Sequence, residues 1–331
     1  MLDIKTTILP DADALFLTAI DRYGHELWRW TFPVNKLNQQ TEQLSPLSSR
    51  PTYTETENDL TVKANKRTFI FSKKDGQLKG VSVDNRKISF ANGPRFIGAR
   101  RADRSLDQFY NHDDEKAKEK DRTYSEFPDA AVFTKLDVKE DGGNMVVPAN
   151  YKLGNLDKAQ WTINPSGDLA LDYTYNFSGV VDLMGIRFDY PEDQVISKRW
   201  LGAGPYRVWQ NRIHGTQYDI WENDYNDPIP GETFTYPEFK GYFGDVSWMN
   251  IQTKEGTISL TNETPDAYIG VYQPRDGRDR LLYTLPESGI SVLNVIPPVR
   301  NKVNSTDLCG PSSQPKWVNG PQTGRVIFRF M

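Results

Sequence analysis

Residues 200–226 read WLGAGPYRVWQNRIHGTQYDIWENDYN and gather the side chains best suited to chemistry: Trp200, Trp209 and Trp221, with Arg207, Arg212 and the acids Asp219, Glu222 and Asp224. Several charged groups stand next to aromatic ones, namely Arg207 near Trp209, Glu222 beside Trp221, and Lys316 beside Trp317. A sugar ring has apolar C–H faces and a polar rim, so a site for it needs a flat aromatic plate and a few fixed donors and acceptors. Eight tryptophans and sixteen tyrosines exceed what a core of this size requires, although a large β-sandwich also buries tryptophan for packing alone.

Other chemistries find less support. His25, His112 and His214 are far apart, with no zinc-ligand spacing. Asp219, Glu222, Asp224 and Asp227 could offer oxygens to calcium, but without the ordered spacing of a dedicated loop, so the better reading is a solvated acidic loop and no cofactor is expected. Cys309 has no basic neighbour and no G-x-S-x-G elbow occurs, which leaves nucleophilic catalysis without material. The GAGP at 202–205 is too short and too proline-marked to cradle phosphates. Paired carboxylates on the two sides of a glycosidic bond are compatible with 44 acidic residues, yet only a structure identifies such a pair; Asn262-Glu263 has the form of a glycosidase acid/base dipeptide but stands beside a turn.

The elements that must position these groups read as strands. In GDLALDYTYNFSG the residues Leu169, Leu171, Tyr173, Tyr175 and Phe177 alternate with Ala170, Asp172, Thr174 and Asn176, the period-two pattern of a half-buried strand. RTFIFS, QLKGVSV, AVFTKLDVKE, KAQWTINP, GYFGDVSWMNIQT, TISLTNE, AYIGVYQ, GISVLNVI and GRVIFRF read in the same way, with turn signals between them and no alternating helical pattern. An all-β architecture, a large antiparallel β-sandwich, is therefore expected, and parallel α/β folds fit poorly. Residues 1–45 read as an N-terminal strand pair, 46–54 as a linker and 55–331 as the sandwich; HDDEKAKEKDR at 112–122 is an exposed charge run.

With 331 residues, a net charge of -4 and scattered basic residues, the chain shows no footprint for nucleic acid or anionic membrane, and no apolar run is long enough to span a bilayer. The single cysteine fits a reducing compartment or a bacterial periplasm equally, and the N-terminus lacks a secretory pattern, so the compartment stays open. Met1 stands so close to a strand that the chain reads as a domain of a longer protein.

Three segments carry a resemblance. RWLGAGPYRVWQNRIHGTQYDIWENDYN with YPEFKGYFGDVSWMNIQT is similar to the G-x-G-P segment and succeeding strands of the C-terminal domain of family 2 glycoside hydrolases, the β-galactosidase group, and FIFSKKDGQLKGVSVDNRKISFANGPRF and NSTDLCGPSSQPKW agree in order with its opening strands and its late Gly/Asp-rich loop. The resemblance covers residues 55–331 and implies a galactose-mutarotase-like supersandwich whose concave face meets carbohydrate. It implies a non-catalytic domain that shapes the substrate cleft, with the catalytic glutamates on a partner (β/α)8 barrel and a galactoside as ligand. Residues 1–40 would then be the tail of a preceding sandwich. By motif, Trp317 inherits the role of the loop tryptophan near the sugar; Trp209, Arg207, Trp221 and Asp307 join it as expected carbohydrate-binding residues. The sequence departs from the family after Asn92-Gly93-Pro94, where RFIGARRADRSLDQFYNHDD replaces an acidic motif, and Asn111-His112 is followed by Asp113-Asp114 rather than a mutarotase segment. Two other readings remain: a stand-alone lyase or epimerase using a base on the concave face, with His214 or His112 near a carboxylate, and a purely structural docking module.

Overall fold

A computed structural model of the chain describes residues 12–34, 49–101, 124–224, 241–271, 288–298 and 310–331. Strands β1 (Ala14–Ile20) and β2 (Glu26–Pro33) form a separate hairpin. Then follow β3 (Thr52–Glu55), β4 (Asp59–Ala64), β5 (Arg67–Ser72), β6 (Leu78–Val83), β7 (Arg86–Ile88), β8 (Ala91–Arg101) and β9 (Tyr124–Glu126). The middle of the chain supplies β10 (Val132–Leu136), β11 (Lys139–Asp141), β12 (Asn144–Lys152), β13 (Leu156–Ile163), β14 (Leu169–Val181) and β15 (Leu183–Asp189). The last part supplies β16 (Val195–Gly204), β17 (Gln217–Asp224), β18 (Trp248–Thr253), β19 (Gly256–Asn262), β20 (Tyr268–Gly270), β21 (Ile290–Val295) and β22 (Lys316–Phe330).

These strands build two ten-stranded antiparallel sheets. The first runs β10-β12-β13-β14-β22-β19-β18-β16-β17, with β11 on β12; the second runs β20-β21-β15-β8-β6-β5-β4-β3, with β7 on β6 and β9 on β8. The expected large antiparallel sandwich is what the chain forms. Its strand run begins earlier than the boundary at 55, because Thr52–Glu55 pairs with β4, so the second half of the segment expected as linker belongs to the sandwich.

Alternation decides which side chains meet. Along β14 the residues Leu169, Leu171, Tyr173, Tyr175 and Phe177 point inward and are buried, as the period of two predicts. They pack against Phe69, Phe71, Phe90, Phe96 and Phe188 of the second sheet, with Phe90 stacked on Phe188 at 4.7 Å and Phe96 tilted on Tyr175 at 5.5 Å. The longest ladder joins β14 to β22 from Leu169 opposite Phe328 to Val181 opposite Lys316. It therefore carries Trp317 at one end and the chain's last core residues at the other.

That second end is clasped across both sheets. Arg67 of β5, buried among apolar neighbours, donates to the carbonyls of Ser166 at 2.7 Å and Phe330 at 2.6 Å. Arg329 of β22 grips Asp168 through two hydrogen bonds, 2.6 and 2.9 Å. Burial acts to raise the Asp168 carboxyl, but the Arg329 guanidinium and the Asn164 amide outweigh it and hold it below the usual carboxylate range.

Candidate functional site

Strand β16 ends at Gly204, and the chain turns through Pro205 into the loop that drew attention in the sequence. A Cβ on Gly204 would lie 2.4 Å from Cδ1 of Trp221, so glycine is what lets that indole cover the strand end. The loop then folds back over the outer face of the second sheet. Val208 and Tyr242 exchange backbone hydrogen bonds of 2.7 and 2.8 Å, and Trp209 packs edge-on against Tyr242 at 5.7 Å. Together with Ile97, Ala99, Tyr124, Leu183, Leu293 and Ile296 they make a second, smaller core.

This placement corrects two expectations. Arg207 and Trp209 are each only 1% exposed, so neither presents its surface to a ligand. The reason is the apolar outer face of β8, β15 and β21, which offers Trp209 more burial than the solvent side of the loop. The Arg207 guanidinium sits over the Phe243 ring at 5.8 Å, within cation–π range. Trp221 is half-buried on the interior side of the edge strand β17, opposite the fully buried Trp200, and donates from Nε1 to the Gln217 carbonyl at 3.1 Å. Asp307 lies outside the described residues.

Trp317 is different. Its side chain is 69% exposed at the start of β22. Val326, Phe328 and Phe330 point inward, so strand parity sends Trp317, Asn319 and Pro321 outward, opposite Val180, Ser178 and Asn176 of β14. Ser178 and Asn319 are joined at 3.0 Å, and Asn176 is anchored by Asp157. The indole thus heads a row of neutral amides and hydroxyls.

The loop ties down the segment that leads into this strand. Gln210 donates from its backbone to Pro297 at 3.0 Å and from its side chain to the Gln314 carbonyl at 2.7 Å, while Asn211 donates to Ser313 Oγ at 3.3 Å. The two segments singled out in the sequence, 200–216 and the run ending at Trp317, are therefore brought together, with Arg207 and Trp209 as foundation and Trp317 as the exposed element.

Two further clefts meet at the Asn262-Glu263 turn. One, of about 470 Å³, lies between Pro33, Tyr218, Asp245, Ser247 and the turn Asn262–Ala267; the other, of about 340 Å³, lies over Lys158, Asp172, Thr323 and Arg325. They share Glu263 and Pro265. Arg325 bridges Asp172 at 2.5 Å and Glu263 at 3.0 Å, which commits all three side chains to one another. Tyr218 and Ser247 hydroxyls lie 2.6 Å apart, and burial raises the tyrosine hydroxyl above its ordinary range.

The decisive comparison covers most of the sandwich. A family described as "Beta galactosidase small chain" matches residues 63–297, from β4 to just past β21. This chain belongs to the β-galactosidase small chain family. No curated protein sequence matches it. Among solved structures it is similar to a galactose 1-epimerase from Lactobacillus acidophilus NCFM, with 10% identity and a TM-score of 0.48, over 86% of this chain and 99% of that one. It is also similar to a GalM/aldose epimerase homologue from C. elegans, with 7% identity and a TM-score of 0.40, over 85% of this chain and 99% of that one.

In this small-chain domain several other residues singled out in the sequence have local partners among the described residues. Asn262 spends its side chain on the carbonyls of Val246 and Thr264, both at 3.2 Å, and the adjoining Glu263 is bridged by Arg325 at 3.0 Å, so the dipeptide is engaged in a turn. Asp219 points to the opposite face of β17 from Glu222 and Asp224, and lies 3.9 Å from Arg29 of the hairpin, so those three acids do not converge on one ion. His25 pairs with Asp21 at 3.0 Å in the hairpin turn, His214 stands in an exposed turn, and His112 lies outside the described residues.

Proposed function

We propose that this β-galactosidase small-chain domain is a non-catalytic carbohydrate-binding part of a family 2 glycoside hydrolase, which meets a galactoside through Trp317 and shapes the cleft of a catalytic (β/α)8 chain. The observation that carries this reading is the exposed Trp317 indole, at the head of a row of Asn and Ser side chains on a strand whose lead-in, Ser313 and Gln314, is tied to Asn211 and Gln210. Large apolar side chains are buried where they can be, and one left in water on a rigid strand is available to stack on the C–H face of a sugar. Neutral amides and hydroxyls beside it suit hydroxyl groups and give no advantage to a charged ligand.

The test is calorimetric titration of the chain with galactose and lactose, repeated on Trp317→Ala, with the same mixtures assayed for product. Saturable heat in the native chain that is lost in the variant, without turnover, is the expected result. Heat unchanged by the substitution moves the sugar site elsewhere, and turnover overthrows the non-catalytic reading.

A further inference from the structure

Trp317 stands at one end of a row of outward side chains, and a cleft stands at the other. Strand β22 presents Trp317, Asn319, Pro321, Thr323 and Arg325 on the outer face of the first sheet, and its ladder with β14 runs past all of them without a register shift. Trp317, Asn319, Pro321 and Thr323 are exposed, as are Ser178 and Asn176 of β14, which face Asn319 and Pro321. Beyond them the row enters the cleft of about 340 Å³, where Thr174 faces Thr323 and Lys158 of β13 faces Thr174.

The lining of that cleft suits an uncharged ligand rich in hydroxyl groups. Its formal charges cancel, Lys158 and Arg325 against Asp172 and Glu263, and Arg325 bridges both carboxylates. Among the described residues the side chains of Lys158, Thr174 and Thr323 enter no hydrogen bond or ion pair, so an ammonium donor and hydroxyls that donate and accept stay unspent. Pro265 adds an apolar surface beside them. A few unspent polar groups converging next to an apolar wall are what a small-molecule site requires. An anion would meet the carboxylates there and a cation the lysine, whereas a sugar meets neither penalty.

Spacing then decides the length of the ligand. Trp317 and Thr323 are six strand steps apart, about 20 Å at a rise of about 3.3 Å per residue. A disaccharide stacked on the indole ends well short of the cleft, so a ligand that fills both is a chain of about four or more sugar units laid along β22. Asn319, Ser178 and Asn176 offer it polar groups on the way, and Pro321 offers an apolar ring. We propose that the carbohydrate site of this chain takes a galactoside oligomer, with Trp317 as one subsite and the Lys158, Thr174 and Thr323 cleft as a second. The galactoside and the Trp317 end rest on the function proposed above; the far cleft stands on its own lining.

The experiment is calorimetric titration of the full chain with lactose and with β-linked galacto-oligosaccharides of increasing length. It is run on the native protein, on Lys158→Met/Thr323→Val and on Trp317→Ala. Lys158, Thr323 and Trp317 are exposed, so the variants keep the native unfolding midpoint, which is checked first. Joining two subsites makes the second contact intramolecular, so affinity should step up roughly tenfold or more once the chain reaches about four units. In the double variant that step should vanish, and the ratio of oligomer to lactose affinity should fall to near unity. Affinity that does not rise with length, or a step that survives the double substitution, overturns the second subsite. Lactose heat that Trp317→Ala removes would still uphold the proposed function in that case. A native chain that gives no heat with any of these sugars overturns both.

Discussion

Replacing Asp168 by Asn tests whether the clasp at the start of β14 ties that strand to β22 as the geometry indicates. Asp168 accepts from Arg329 Nε at 2.6 Å and Nη2 at 2.9 Å, and from Asn164 Nδ2 at 3.1 Å; the side chains of Asp168 and Arg329 are only 11% and 13% exposed. An amide removes the charge and turns one acceptor into a donor facing the guanidinium, leaving a largely buried cation partly unsatisfied. Charge-assisted hydrogen bonds contribute about 1.5–3 kcal/mol each and an orphaned buried partner costs about 3–5 kcal/mol, so with a tenth of the pair still in water the expected loss is about 2–4 kcal/mol. That corresponds to a fall in Tm of roughly 5–10 °C. The assay is urea unfolding of both proteins from pH 7 down to pH 3. Because the folded carboxyl sits below its unfolded range, its contribution is complete above about pH 4 and fades as pH falls toward the lowered folded value. The gap between native and variant must therefore narrow only in acid. A loss under about 0.5 kcal/mol, or a gap that ignores pH, would refute the reasoning. Arg325→Met serves as the control: its pairs with Asp172 and Glu263 leave 39% of Arg325, 40% of Asp172 and 21% of Glu263 in water, and removing both should cost no more than about 1 kcal/mol.

The tryptophans give a second contrast. Trp209→Ala should lose about 3–5 kcal/mol in a denaturant titration, because it empties the smaller core beneath the loop, whereas Trp317→Ala should leave stability within about 0.5 kcal/mol while removing sugar heat. Gly204→Ala places a methyl group 2.4 Å from the Trp221 ring; it should cost about 1–3 kcal/mol and red-shift the tryptophan emission as that indole is pushed toward water. An unshifted spectrum would show that Trp221 does not depend on the glycine.

What the sequence made legible was whatever a period of two can encode. The alternation of Leu169 to Phe177 predicted an inward face that the structure confirms, and the same pattern in RTFIFS and GRVIFRF marked β5 and the end of β22. The charged network stayed hidden because its partners are remote: Arg325 lies 153 residues from Asp172, and Arg329 lies 161 from Asp168. No local pattern distinguishes such arginines from solvated ones. The pairing of the 200–216 loop with the run before Trp317 was likewise unreadable, since it rests on Gln210 and Asn211, two unremarkable amides.

Residue type alone could not sort the tryptophans, and the reason separates regular from irregular backbone. On β22 the buried residues Val326, Phe328 and Phe330 set a parity that, carried back along an unbroken strand, places Trp317 on the outside. Parity was thus available for the residue that ends exposed. Trp209 sits in a loop with no parity to extend, and its burial is decided by Ile97, Ala99, Leu183 and Leu293, which arrive from three distant strands. An aromatic cluster in a loop therefore signals a small satellite core as readily as a sugar site, and only the strand-borne tryptophan could have been assigned to the surface in advance. The hairpin obeys the same rule from the other side: a single parity aligns Trp28, Trp30 and Phe32 on one face of β2, and all three are partly exposed.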